Sequence, residues 1–199
     1  MSIDILSSIA LSHGQTRWLM NCLDLSDGDE GAFNSYMKFL RRNGVPFSKG
    51  ETPGGPGTNV SYDYYHLMEL ALALTLHRQA ILKRDVVGLL VSMRKELRPL
   101  FQRAWLESDR DHGERVPVKI GTGNTFKASG LWLDLGLNYS EVGYLSTTEP
   151  KLLNAEEAIR LFCTLNRQSY FRDPIRISDL AKRVVELVPD APKLRRGPK

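Results

Sequence analysis

The chain has only two cysteines, Cys22 and Cys163, and neither belongs to a CxxC or Cys/His spacing. That excludes a disulfide framework and a structural zinc module, and both thiols fall on apolar helix faces, which predicts buried, inert side chains. Histidine is equally sparse. His13, His66, His77 and His112 form no HxH or HxxxH pair, so no metal site is expected. No apolar run approaches the roughly 20 residues of a membrane span. The longest, Leu67 to Leu76, is interrupted by Glu69. The opening MSIDILSSIALSH has no basic stretch and carries Asp4, which predicts no secretory signal, a cytoplasmic location and no membrane partner. Asp109/Asp111 and Glu156/Glu157 are close acids without an identifiable facing partner, and no serine or cysteine has a paired histidine. The chain therefore reads as a non-enzyme without catalytic residues or cofactor.

What is present is an ordinary globular composition, 42% hydrophobic and 25% charged over 199 residues, with an informative charge distribution. The net charge of +4 is carried by residues 182–199, and the body before them is neutral. Within that body an acidic cluster, Asp24, Asp27, Asp29 and Glu30, precedes a basic stripe of Lys38, Arg41, Arg42 and Lys49. A basic stripe and a basic tail suit a polyanionic partner, or simply a solvated surface and a disordered end.

Apolar periodicity predicts a helix from Gln15 to Leu23, with Trp18, Leu19, Cys22 and Leu23 on one face. Asp24-Leu25-Ser26-Asp27-Gly28 is turn chemistry. A second helix opens near Asp29 or Glu30, puts Phe33, Tyr36, Met37 and Leu40 inward and stops at Gly44. Helix, tight turn and helix in this length make a helix-turn-helix pattern. The following SKGETPGGPGT (Ser48 to Thr58) cannot be helix or central strand, and between Phe47 and Val60/Tyr62 it reads as the loop of a wing. As a phosphate-cradling loop it lacks the Walker Lys-Ser/Thr and the GxGxxG spacing.

A third helix is predicted from Asp63 or Tyr64 to Arg78, with Leu67, Leu70, Ala71 and Leu74 buried. A fourth begins near Arg84 and carries Val86, Leu90, Met93, Leu97, Leu100 and Ala104 in alternating steps of four and three. Pro99 should kink it or sit where a neighbouring turn compensates. Such a heptad seam serves equally as a core helix or as a dimer interface, because the two look identical in sequence. Beyond Ser108 the period falls to two. Val116, Val118 and Ile120 alternate, as do Leu131, Leu133, Leu135, Leu137 and Tyr139, with a third strand expected over 142–145. Asn154 and Glu157 form a capping box for a helix with Ala158, Leu161, Phe162 and Leu165 inward, and Ser178 is placed to cap a last helix bearing Leu180, Ala181, Val184 and Val185.

The predicted fold class is α+β, mainly α. Residues 1–82 form a winged helix-turn-helix, 83–108 a long heptad-patterned helix, 109–188 a small C-terminal α+β unit, and 189–199 a basic disordered tail. In that C-terminal unit Phe126, Trp132, Tyr139 and Tyr144 either line a pocket for a small-molecule effector or fill the core.

Three stretches carry a family likeness. They are RRNGVPF (Arg41 to Phe47), Tyr62 with Leu67, Leu70 and Ala73 behind it, and LHRQAILKRDVVGLL (Leu76 to Leu90), with Ala80 where a glycine is usual. Through them Gln15 to Leu90 resembles the winged helix-turn-helix domain of MerR-like regulators. The resemblance implies a homodimeric, sequence-specific regulator of transcription bound to double-stranded DNA. In the residues themselves, Asn34, Ser35 and Lys38 suit base edges, Arg41, Arg42 and Lys49 suit phosphates, and Thr58, Asn59 and Tyr62 can donate to backbone oxygens from the wing. The competing expectation is a protein-interaction adaptor that uses the apolar seam and makes no nucleic-acid contact.

Overall fold

In a computed structural model the described residues are 4–26, 29–48, 50–51, 60–108, 116–120, 124–128, 130–139, 145–164 and 174–193. Lys49, Thr58, Asn59, His112, Tyr144 and residues 194–199 lie outside them, and only backbone is described for Phe126, Tyr139, Phe162 and Cys163. The described fold is mainly helical, with seven α-helices and small antiparallel two-stranded pairings. The chain divides into two units, residues 2–92 with 183–199, and residues 93–182. Both divisions fall inside helices, so neither coincides with the boundaries read from composition.

The first unit opens with α1 (Asp4–Ser8) and α2 (His13–Cys22). α2 starts two residues earlier than its apolar pattern indicates, because Ser12 and Gln15 form a capping box. Its buried residues are Thr16, Leu19 and Met20, followed by Leu23; Trp18 is half-buried and Cys22 is exposed. The expected stripe through Trp18 and Cys22 is therefore rotated, and the Cys22 thiol is not buried. α3 (Glu30–Arg42) begins at the Asp29 cap, whose carboxylate accepts from the Gly31 and Ala32 amides, and buries Phe33, Tyr36, Met37 and Leu40 as its period predicts. α4 (Tyr64–Arg78) is capped by Asp63 and is buried on nearly every face, more widely than the four residues read from its period. An all-round apolar helix has to be central.

These three helices stop in the same way. After α2, α3 and α4 the chain turns left-handed at Asp24 (φ 59°), Gly44 (φ 89°) and Ala80 (φ 61°). The next residue then donates its amide to the last turn: Leu25 to Met20 O at 3.0 Å, Val45 to Leu40 O at 3.0 Å, and Ile81 to Leu76 O at 3.2 Å. Each of Leu25, Val45 and Ile81 is buried. Orphan carbonyls and an apolar anchor are thereby satisfied together, as in a Schellman stop.

α5 (Lys83–Ser108) is one 26-residue helix that continues through Pro99. Val86, Leu90, Met93, Leu97 and Ala104 are all buried within one copy of the chain, and Leu100 is half-buried.

In the second unit β1 (Val116–Ile120) pairs with β2 (Asn124–Ala128) as an antiparallel hairpin. β3 (Trp132–Asp134) pairs antiparallel with a strand at Lys151–Leu153, and Leu133 also bridges Ile175. Leu131, Leu133, Leu135 and Leu137 are buried between half-buried neighbours, which is the period of two read from the sequence. β4 (Asn138–Tyr139) pairs with β5 (Leu145–Ser146), so the strand expected over 142–145 begins, among the described residues, at its last position. The Lys151–Leu153 strand is β6. α6 (Ala155–Thr164) opens on the expected box, with Glu157 N–H donating to Asn154 at 2.9 Å and Asn154 N–H to Glu157 at 2.9 Å. α7 (Ile177–Leu187) differs from expectation at its start. Ser178 lies inside the helix, buried, and its Oγ accepts the Leu131 amide at 3.0 Å instead of capping.

Candidate nucleic-acid interface

α3 exposes a ridge along the side opposite its core stripe. Gly31, Ser35, Lys38 and Arg42, spaced four, three and four apart, are exposed, while Asn34 and Arg41 are half-buried on the flank beside it. The three residues suited to base edges thus differ: Ser35 and Lys38 stand on the ridge and Asn34 at its edge. Among the described residues Lys38, Arg41 and Arg42 have no carboxylate partner, so their charge is free to meet a polyanion.

α2 adds two groups that the sequence reading did not place at this surface. His13, at its first turn, places Nδ1 3.2 Å from the Tyr62 hydroxyl. Burial holds its pKa below the ordinary 6.5, and the charges of Arg41, Arg17 and Lys38 push it further in the same direction. Arg17 follows His13 by one helical turn and donates to Glu30 at 2.6 Å, joining the middle of α2 to the start of α3. His13, Arg17, Lys38 and Arg41 therefore share one electropositive field. The spacing His13-x-x-x-Arg17 was visible in the sequence, but only the Ser12 cap brings His13 into the helix.

The acidic cluster ahead of this field has local structural roles. Asp29 caps α3, Glu30 pairs with Arg17, and Asp24 occupies the left-handed stop of α2, where its carbonyl accepts from Arg78. Asp27 lies outside the described residues.

The segment after α3 returns to a fixed point. Tyr62 and Leu11 exchange backbone hydrogen bonds of 2.8 and 2.9 Å, an antiparallel bridge that closes the chain just before α2. It fixes Tyr62 differently from the sequence reading. The Tyr62 side chain is 1% exposed, with its ring 4.9 Å from Phe47 and its hydroxyl on His13. It is a core residue and does not present a donor at the surface. Burial raises its pKa, while the charge of Arg41 opposes that rise.

The seam residues Val86, Leu90, Met93, Leu97 and Ala104 are covered within one copy, so they offer neither a second copy nor an adaptor partner a free apolar face. Among the described residues no group of three or more His, Cys, Asp or Glu is arranged to hold a metal ion, and no helix is long and apolar enough to cross a membrane. No protein-family model, curated protein or solved structure matches the chain.

Proposed function

We propose that this chain is a sequence-specific regulator of transcription that binds double-stranded DNA through a winged helix-turn-helix, with α3 as the helix that enters the major groove. The observation that carries the reading is the free cationic side of α3. Lys38 and Arg42 are exposed on one ridge, Arg41 flanks them, and the Arg17 and His13 end of α2 lies within the same field. A helix presenting Ser35 and Lys38 to base edges and Arg41 and Arg42 to phosphates meets the two requirements of readout, positioning and discrimination. The Leu11–Tyr62 bridge supports the same order of parts, because it brings the chain just before α4 back beside the start of α2. The likeness to MerR-like regulators adds the expectation of two copies on an inverted repeat. Since the α5 seam is buried within one copy, the contact between copies would use other surface.

The test is selection of bound duplexes from a random pool, followed by fluorescence anisotropy on the selected and a scrambled duplex. Arg42→Ala is expected to weaken both duplexes alike and to flatten the salt dependence by about one unit. Lys38→Ala is expected to lower discrimination between them by about tenfold. Equal weakening of both duplexes by both variants would remove base reading from α3, and absence of any salt-dependent binding would end the proposal.

A further inference from the structure

The surface assigned to DNA holds one side chain that can change its charge near neutral pH. His13 stands in the first turn of α2 and is half-buried. Its Nδ1 is 3.2 Å from the Tyr62 hydroxyl, and the two rings are tilted against each other at 6.2 Å. Tyr62 is fixed in turn by its backbone bridge to Leu11 and by its ring contact with Phe47, so the imidazole is held firmly through one nitrogen. The other nitrogen, Nε2, has no partner among the described residues and is not sealed from solvent. The charges that act on this ring among the described residues are all cationic: Arg41 and Lys38 from α3, and Arg17 one turn along α2. The acids nearby in the chain are engaged elsewhere. Glu30 is held by Arg17 at 2.6 Å, and Asp63, which follows Tyr62, is held by His66 at 2.9 Å.

Three cations and partial burial disfavour a further positive charge while the chain is alone. A phosphate that docks on Lys38 and Arg41 brings a negative charge into the same field and reverses that balance. An imidazolium has two N–H donors, and here each has a place to go. Nδ1–H meets the Tyr62 oxygen, which can accept as well as donate, and Nε2–H is left for a phosphate oxygen. Arg17, Lys38 and Arg41 are charged with or without DNA, so His13 alone in this cluster can report the arrival of the backbone by gaining a proton. We propose that His13 is a phosphate contact of this surface that takes up a proton as the DNA backbone docks, so that DNA binding tightens as pH falls. The inference rests on the DNA-binding reading and deepens it, by giving that surface a regulating ligand, the proton. The sign follows from linkage. The gain begins as pH falls through the raised value of the complex, and it levels off below the value of the free chain, which lies under 6.5.

The experiment measures binding of the full chain to a mixed-sequence duplex of about 20 base pairs by fluorescence anisotropy, so that phosphate contacts dominate and base reading does not enter. The pH runs from about 5.5 to about 8 at constant ionic strength, which brackets histidine. The parent should bind at least about fivefold more tightly at the acid end, since a pKa raised by one unit yields up to about tenfold. His13→Gln keeps a polar group for Tyr62 but takes up no proton, and its affinity should change by less than about twofold over the same range. Arg42→Ala should bind more weakly at every pH and keep the pH dependence of the parent. NMR of the His13 ring in the parent gives the linkage without a variant: its titration midpoint should be higher with duplex than without. Equal pH dependence in the parent and His13→Gln, or a midpoint that stays or falls on adding duplex, overturns the role of His13 and leaves DNA binding standing. Absence of salt-dependent binding at every pH ends both.

Discussion

Leu90 offers the sharpest test of where the heptad seam is buried. Its side chain is 0% exposed within a single copy, flanked along the same face of α5 by Val86 and Met93 at 0% and 7%. Truncation to alanine removes buried methyl groups and leaves a cavity among neighbours that relax only in part, at a cost of about 2–5 kcal/mol. With roughly 4 °C lost per kcal/mol for a unit of this size, a fall of about 10 °C or more is expected. Leu82, just before α5 and 60% exposed, is the control, and its alanine variant should stay within about 0.5 kcal/mol of the parent. The decisive measurement is differential scanning calorimetry at two concentrations about 100-fold apart. If the seam closes within the chain, the first unit melts at the same temperature in both, for parent and variant alike. If the seam were shared between copies, that dilution would cost about 2.7 kcal/mol by mass action and lower the transition visibly. A melting temperature that moves with concentration in the parent and stops moving in Leu90→Ala would refute the assignment of the seam to the core.

Two further outcomes follow from the first unit. Ala80→Gly should stabilise the protein by about 0.5–1 kcal/mol in chemical denaturation, because Ala80 holds φ 61° at the stop of α4, where a β-carbon is strained and glycine is not; a loss of stability would show that the stop is not strained. His13 has a folded pKa below its ordinary 6.5, so the unfolded chain takes up its proton first as pH falls. Its contribution to stability is therefore complete above about pH 7 and is lost as pH falls through 6.5 towards the lower folded value, where the loss levels off. The difference between the parent and His13→Gln in urea unfolding across that range isolates it, and a difference independent of pH would contradict the assigned direction.

The helical half was legible because its signals are local. Asp29 and Asp63 are side-chain caps, Gly44 is a stop, and Phe33, Tyr36, Met37 and Leu40 fall on one stripe whatever packs against them. What escaped the reading depended on partners distant in sequence. Tyr62 looked like a surface donor because aromatic hydroxyls suit either setting, and only its pairing with Leu11 and His13 decides for burial. Ser178 has the composition of a cap, but Leu131, 47 residues away, takes its hydroxyl. Ala80 concealed a left-handed stop that glycine would have announced, and Asp24 concealed another. The seam was ambiguous for a general reason: a stripe of apolar side chains records that it is covered and not by what. In the candidate site, the exposed cations of α3 were readable from their phase relative to the core stripe. His13 and Arg17 were not, since their relevance lies in the distance to Arg41 and Lys38 across two helices.

The Leu11–Tyr62 bridge also sets how this protein can be remodelled. Its two backbone hydrogen bonds, of 2.8 and 2.9 Å, clasp the chain where it enters α2 and where it leaves for α4. α2 and α3 both lie inside the loop of chain that this one contact closes. A proline at Leu11 or Tyr62 would remove one of the two donors and open that loop, so this pair of positions is where an engineer would loosen the helix pair without touching the residues of either helix.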